Sequence, residues 1–328
     1  MQSRNSNSAP AGRTTDFFQS GRLPHKCGVP QPTGTPHLCG SEELCRARTP
    51  ATGFTLIELV AVLGLLALGA AMLAPALART QPNSRAFECL HNVQQLAVAA
   101  SMYSSDSADS YPPNRDGGNS GKDLGDASWA GGWEDFSSNN PDNTNTDLLI
   151  NHVDYPHAAY VGQYLKTAQP FRCPADKSQS TINGRKMDRV RSYSLQNWIA
   201  GDPAPGVPGS RTWTSPSRYG SYYQKVTDVK GPSLTFMFLD EREDSINDGC
   251  LWTDPDTLYQ IVDYPASYHD NAGVFSFADG HAEIHKWLDP RTMPVLHPGQ
   301  LLSSVVNLPG DLDVFWLAQH AVGLSTYP

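Results

Sequence analysis

The segment GFTLIELVAVLGLLALGAAMLAPALA, from Gly53 to Ala78, limits what the rest of this chain can become. Between Phe54 and Leu77 the only ionisable side chain is Glu58. A helix rises about 1.5 Å per residue, so the run is long enough to span a hydrocarbon core of about 30 Å. A secretory signal has a shorter apolar stretch with a small-residue cleavage site behind it. Here the small-residue break, ATG, stands in front of the run. A carboxylate in hydrocarbon is costly and calls for a partner.

The charge distribution agrees with an exported body behind a cytoplasmic leader. Residues 1–53 hold six Lys/Arg against three Asp/Glu, and the remainder 18 against 30, within a formal charge of −9. Positive flanks stay on the cytoplasmic side. An acidic body speaks against a nucleic-acid partner. The leader is polar, with scattered Gly, Pro and Ser, and no fold is expected of it. Past the apolar run, Leu90, Val93, Ala97 and Ala100 recur at three- and four-residue steps, with Leu96 and Tyr103 beside them. That pattern predicts an amphipathic continuation of the helix, loosened at Pro82 and Asn83 and ending near SSDSADSYPPN. The expected organisation is a leader over 1–53, a transmembrane or filament-core helix over 54–78, its amphipathic continuation over 79–104, and a globular domain over 105–328.

Within the globular domain, 105–147 reads mostly as loop. PHAAYVGQYLK reads as a short helix, FRCPAD as a turn and RSYSLQNW as a strand. SLTFMFLDE (233–241) is a nearly continuous apolar run of strand length, which places it centrally in a sheet. GVFSFADGHAEIHKW reads as a hairpin turning on Asp279-Gly280 in a two-residue type I′ turn. That turn sets Phe277 opposite Ala282 and Phe275 opposite Ile284, with Ser276, His281, Glu283 and His285 on the other, wet face. The predicted class is α+β: a long N-terminal helix packed on an antiparallel β-sheet with large loops.

Several residues are candidates for chemistry. LDEREDSINDG concentrates oxygen donors, and Asp240, Asp244, Asn247 and Asp248 could hold calcium, which takes six to eight oxygens; a strand end running into a capped, solvated turn is the plainer alternative. His281 and Glu283 stand about 7 Å apart along one strand and could share a transition metal, with His285 about 13 Å from His281 and too far to join. His269 could hydrogen-bond the turn at Asp279 and Gly280 and lock it, or form a hydrolytic set with Asp279 and His281. Trp129, Trp133 and Trp213 could stack on sugar rings, or cover an edge of the core. There is no H-E-x-x-H, G-x-S-x-G or Walker A sequence. The leader holds Cys27, Cys39 and Cys45, and the body holds Cys89, Cys173 and Cys250. Only the second set would meet an oxidising compartment. A Cys89–Cys173 bridge, helix to turn, competes with three unpaired thiols.

GFTLIELVAVLGLLALGAAMLAP resembles the class III signal of type IV pilins and type II secretion pseudopilins. The resemblance implies that prepilin peptidase cuts after Gly53 and that the new amino terminus, Phe54, is N-methylated. The family's acidic residue in the fifth mature position falls on Glu58, and its helix-kinking proline on Pro75. In a filament, Glu58 would then pair with the α-amino group of a neighbouring subunit's Phe54, inside an apolar bundle. SYHDNAGVFSFADGH, with nine residues between His269 and Asp279-Gly280, resembles the H-X9-DG signature of prepilin-like proteins with a large C-terminal domain. CLHNVQQLAVAASMYSSDSADSYPPN, FRCPAD and LDEREDSINDG are similar to recurring segments of that group. The resemblance implies a single-pass inner-membrane protein with its body outside, whose partners are prepilin peptidase and identical or related pilin subunits. It implies no catalytic role for His269, and it adds weight to calcium, which related major pseudopilins use to fix a loop.

Overall fold

The computed structural model describes Gly53, Thr55 and residues 56–200, 222–302 and 305–324; within the first helix the side chains of 72–84 are not among those described. The leader up to residue 52, Phe54 and Trp213 therefore lie outside the described residues. From Val60 onward the described residues form one compact unit.

Helix α1 spans Leu56–Asp106 and runs on through Pro75 and Pro82. The side chain of Pro75, and with it the expected kink, lies outside the described set. The helix starts at a capping box. Thr55 Oγ1 accepts from the Glu58 N–H at 3.3 Å, and Glu58 Oε2 accepts from the Thr55 N–H at 2.9 Å and from its hydroxyl at 2.8 Å. It ends where serines accumulate. Ser101, Ser104 and Ser105 donate back to carbonyls four residues earlier. Ala108 and Asp109 then take left-handed φ values, and the Asp109 N–H closes on the Ser104 carbonyl. Among the described residues no helix is long and apolar enough to cross a membrane. The described side chains of the apolar run stop at Ala71, short of the roughly 20 residues a span requires.

After two short helices, α2 (Asp147–Ile150) and α3 (Gly162–Leu165), come a hairpin of β1 (Gln179–Ile182) and β2 (Arg185–Asp188), and then β3 (Tyr193–Gln196), β4 (Phe236–Asp240), β5 (Cys250–Leu251) and β6 (Gln260–Ile261). The chain closes with β7 (Ala272–Phe277), β8 (Ala282–Lys286), β9 (Val306–Asn307) and α4 (Leu312–Ala321). The main sheet has the order β5-β3-β4-β7-β8. It is mixed rather than purely antiparallel, because β3 and β5 run parallel. β4, the apolar run expected to be central, is central, and all five of its residues are buried.

Two helices cover the two faces of this sheet. The second half of α1 buries Cys89, Val93, Leu96, Ala97 and Ala100 against Tyr193, Leu195, Met237, Phe238 and Val274. Leu317 and Ala321 of α4 pack with Phe236, Leu239, Phe275, Phe277 and Trp287. α4 was not foreseen. Its start is marked by Asp311, whose carboxylate accepts from the N–H groups of Asp313 and Val314.

The register departs from the sequence expectation at two points. The β7–β8 turn has three residues, because only Gly280 (φ 90°) takes a positive φ and Asp279 does not. The Phe277 N–H donates to the His281 carbonyl, and Phe275 faces Glu283 instead of Ile284. This one-residue slip exchanges the expected faces: Glu283 and His285 fall on the side of Phe275, and Ile284 on the side of Val274. In β4, Phe236 pairs with Phe277 but Leu239 pairs with Phe275, so three steps on one strand match two on the other. This bulge lets Phe236 and Leu239 share the α4 side while Met237 and Phe238 face α1. It also turns the next side chain, Asp240, toward α1, where strict alternation from Phe236 would have pointed it away.

Candidate functional site

Two places emerge from the sequence candidates: the amino-terminal end of α1, and a buried cluster that α1 forms with the sheet. At the first, Gly53 is exposed, and a Cβ there would meet nothing within 4 Å. Glu58 caps its own helix through Thr55. Leu56, Ile57, Leu59, Val60, Val62, Leu63, Leu65, Leu66 and Leu68 are all exposed.

The four residues expected to hold calcium do not converge. The Arg242 guanidinium takes Asp244, with Nε to Oδ1 at 2.5 Å and Nη2 to Oδ2 at 2.8 Å. Asp248 accepts from the N–H groups of Gly117 and Cys250. Asn247 Oδ1 accepts from the adjacent Asp248 N–H. Asp240 belongs to a different cluster, described below. The segment's oxygens thus organise backbone, and an internal arginine neutralises one of them.

The same segment buries Glu241 and Asp248. Burial pushes the Glu241 carboxyl up to about 8, although Ser194 and Ser245 donate to it. Burial also raises Asp248 and Asp263 well above the ordinary range. A carboxyl raised in the folded state contributes stability that is full below its ordinary value of 4.5 and is lost as pH rises through about 8. Thermal midpoints should therefore fall between pH 5 and 8 in the folded chain. Glu241→Gln should make that fall shallower by about one proton's worth of pH dependence. An unchanged slope would show that Glu241 is already ionised at pH 5.

The buried cluster comprises Cys89, Cys173, Asp240 and His269, whose ligand atoms all lie within 4.8 Å of one another. Four separate elements bring them together. Cys89 lies on the buried stripe of α1, and Cys173 opens a turn closed by the Asp176 N–H on its carbonyl at 3.1 Å. Asp240 ends β4 just past the bulge. His269 precedes Asp270 and Asn271, both in left-handed φ, a conformation these two residue types tolerate.

His269 Nε2 lies 3.3 Å from Cys173 Sγ and 3.3 Å from Asp240 Oδ2. Cys89 Sγ lies 3.6 Å from Asp240 Oδ2. Asp240 Oδ1 accepts from the Val274 N–H at 2.7 Å, and the Tyr193 hydroxyl donates to Cys89 Sγ at 3.0 Å. Burial alone would lower His269, but Asp240 and Cys173 outweigh it and raise the imidazole to about 10. Burial holds the Cys89 thiol well up. Burial also opposes ionisation of Cys173, yet hydrogen bonds from Cys89 and His269 bring it down to about 7.

Cys, His and Asp are the residue types of a thiol nucleophile with its base and orienting acid, but the geometry is wrong for that use. Asp240 and Cys173 meet the same ring nitrogen, so no proton passes across the imidazole. Cys173 is also fully buried. The Cys89–Cys173 bridge is not formed: both are free thiols, the competing expectation, with their sulfur atoms within 4.8 Å of each other.

The remaining candidates separate. His269 does not lock the hairpin turn; it bonds inward, and Asp279 pairs with His281 at 2.5 Å on the exposed tip. That division also disperses the hydrolytic set. His285 stacks on Trp316 at 3.7 Å, and burial lowers it to about 4. Among the described residues the Cys89 cluster is the group of three or more His, Cys, Asp and Glu residues whose donors converge tightly enough for a metal; His281 is held by Asp279 and stacks on the Phe277 ring at 4.2 Å. Trp129 is fully buried, stacks on Phe171 and donates to the Gly249 carbonyl at 2.7 Å. It is core, not a sugar platform, while Trp133 is partly buried beside Gly118.

No family model, curated protein or solved structure matches this chain.

Proposed function

We propose that the chain is a structural subunit of a type IV pilus-like or type II secretion pseudopilus-like filament. It would wait in the inner membrane with its leader inside and its body outside. Prepilin peptidase would cut after Gly53 and methylate Phe54, and α1 would then pack among the α1 helices of identical or related subunits. The observation that carries this reading is the exposed apolar start of α1 with Glu58 as its one charge. Such a surface is stable only when covered by lipid or other helices, and head-to-tail contacts that do not close build fibres.

Co-expression with a prepilin peptidase tests the reading. The chain should lose its leader, and Gly53→Val should block the loss while leaving the body folded. Retention of the leader by the unaltered chain beside an active peptidase would refute the proposal.

A further inference from the structure

We propose that Cys89, Cys173, Asp240 and His269 bind one zinc ion as a closed structural centre that pins α1 to the sheet. Tetrahedral zinc bonds of about 2.3 Å to sulfur and 2.0–2.1 Å to nitrogen and oxygen require ligand–ligand edges of about 3.3 Å for N···O and about 3.5 Å for S···N and S···O. The observed edges are 3.3 Å for His269 to Asp240, 3.3 Å for His269 to Cys173 and 3.6 Å for Cys89 to Asp240. Four ligands from four elements approach one tetrahedron.

The donor types narrow the metal. Two thiolates and an imidazole suit zinc, and they do not suit magnesium or calcium, which take oxygen. All four residues are buried, so the site has no open position for substrate, which is the signature of a structural centre. The surrounding bonds aim the ligands. The Val274 N–H holds the distal oxygen of Asp240, leaving Oδ2 for the metal, and the Tyr193 hydroxyl supports Cys89. Gly273 keeps this shell open, because a Cβ there would meet Asp240 Oδ1 at 3.3 Å and the Trp287 ring at 2.9 Å. A disulfide between the cysteines would account for two of the four groups and leave His269 and Asp240 unexplained.

The test uses the full chain, purified in detergent without added chelator. Elemental analysis should find about one zinc ion per chain. Cobalt exchanged into the site should give the strong visible bands of a tetrahedral centre and a near-ultraviolet thiolate-to-cobalt band. Cys173→Ser and His269→Ala should lower bound metal at least about tenfold. Cys250→Ser, a buried thiol outside the cluster, should retain it. If the two ligand variants fail to fold, the cobalt spectrum of the unaltered chain still decides. Absence of tetrahedral cobalt bands in the reduced chain, or an intact mass lower by two hydrogens with no metal bound, would overturn the proposal.

Discussion

The Glu58→Gln variant should be cut after Gly53 like the unaltered chain and yet leave no filaments above background. Two roles compete for this carboxylate. Within one chain it caps α1, accepting from the N–H and hydroxyl of Thr55. Glutamine serves that purpose nearly as well, since the capping box accepts either side chain. Between chains it would neutralise the new α-amino group of Phe54, and glutamine carries no charge for that. A charge buried in an apolar bundle without its partner is strongly unfavourable, so the neutral amide should leave the amine stranded. Glu58→Ala should fail in the same way and should also fray the first turn. The measurement is the amount of sheared or pelleted filament, compared with processed subunit remaining in the membrane. Normal assembly of Glu58→Gln would reduce Glu58 to a helix cap.

The second large effect concerns the body. Arg189→Ala should destabilise it by about 3–5 kcal/mol, the range for stranding one partner of a buried ion pair. The Arg189 side chain is fully buried, with Nε 3.2 Å from Glu134 Oε2. Its terminal nitrogens donate to the carbonyls of Glu243 and Ile246, both at 2.7 Å, and the guanidinium lies over the Phe136 ring at 4.7 Å. It therefore joins the loop at Glu134 to the acidic segment after β4. Burial already raises Glu134, with Arg189 and Arg191 opposing the rise. Without Arg189 the carboxyl rises further, so the variant's deficit should narrow as pH falls and Glu134 takes up a proton. Adding Glu134→Gln should recover part of the loss at neutral pH. Urea unfolding followed by tryptophan fluorescence gives both numbers. Equal losses with and without Glu134→Gln would show that the two side chains are not coupled.

The parts of this fold legible in the sequence are those with a local signature. The apolar run and the three- and four-residue steps to Ala100 announced α1, and the unbroken FMFL announced a central strand. The hairpin was visible, but its register was not. Asp-Gly fits both a two-residue turn and a three-residue loop with Gly at the left-handed position, and only the backbone of Asp279 decides between them. The β4 bulge had no signature either, because a strand apolar on both faces shows no alternation to interrupt. That bulge is what sends Asp240 to Cys89.

The cluster itself rests on contacts across the whole body. Helix and turn placed Cys89 near Cys173, but nothing local linked either to His269, whose nine-residue spacing to Asp279 suggested the turn as its partner. The calcium expectation failed for a related reason. A count of carboxylates does not show that Arg242 and the N–H groups of Gly117 and Cys250 have already claimed them.

Mass spectrometry of the amino terminus, on protein taken from cells that contain the peptidase, bears most directly on the central claim. The account predicts a mature chain beginning at N-methylated Phe54. A chain still carrying residues 1–53 in such cells would contradict it.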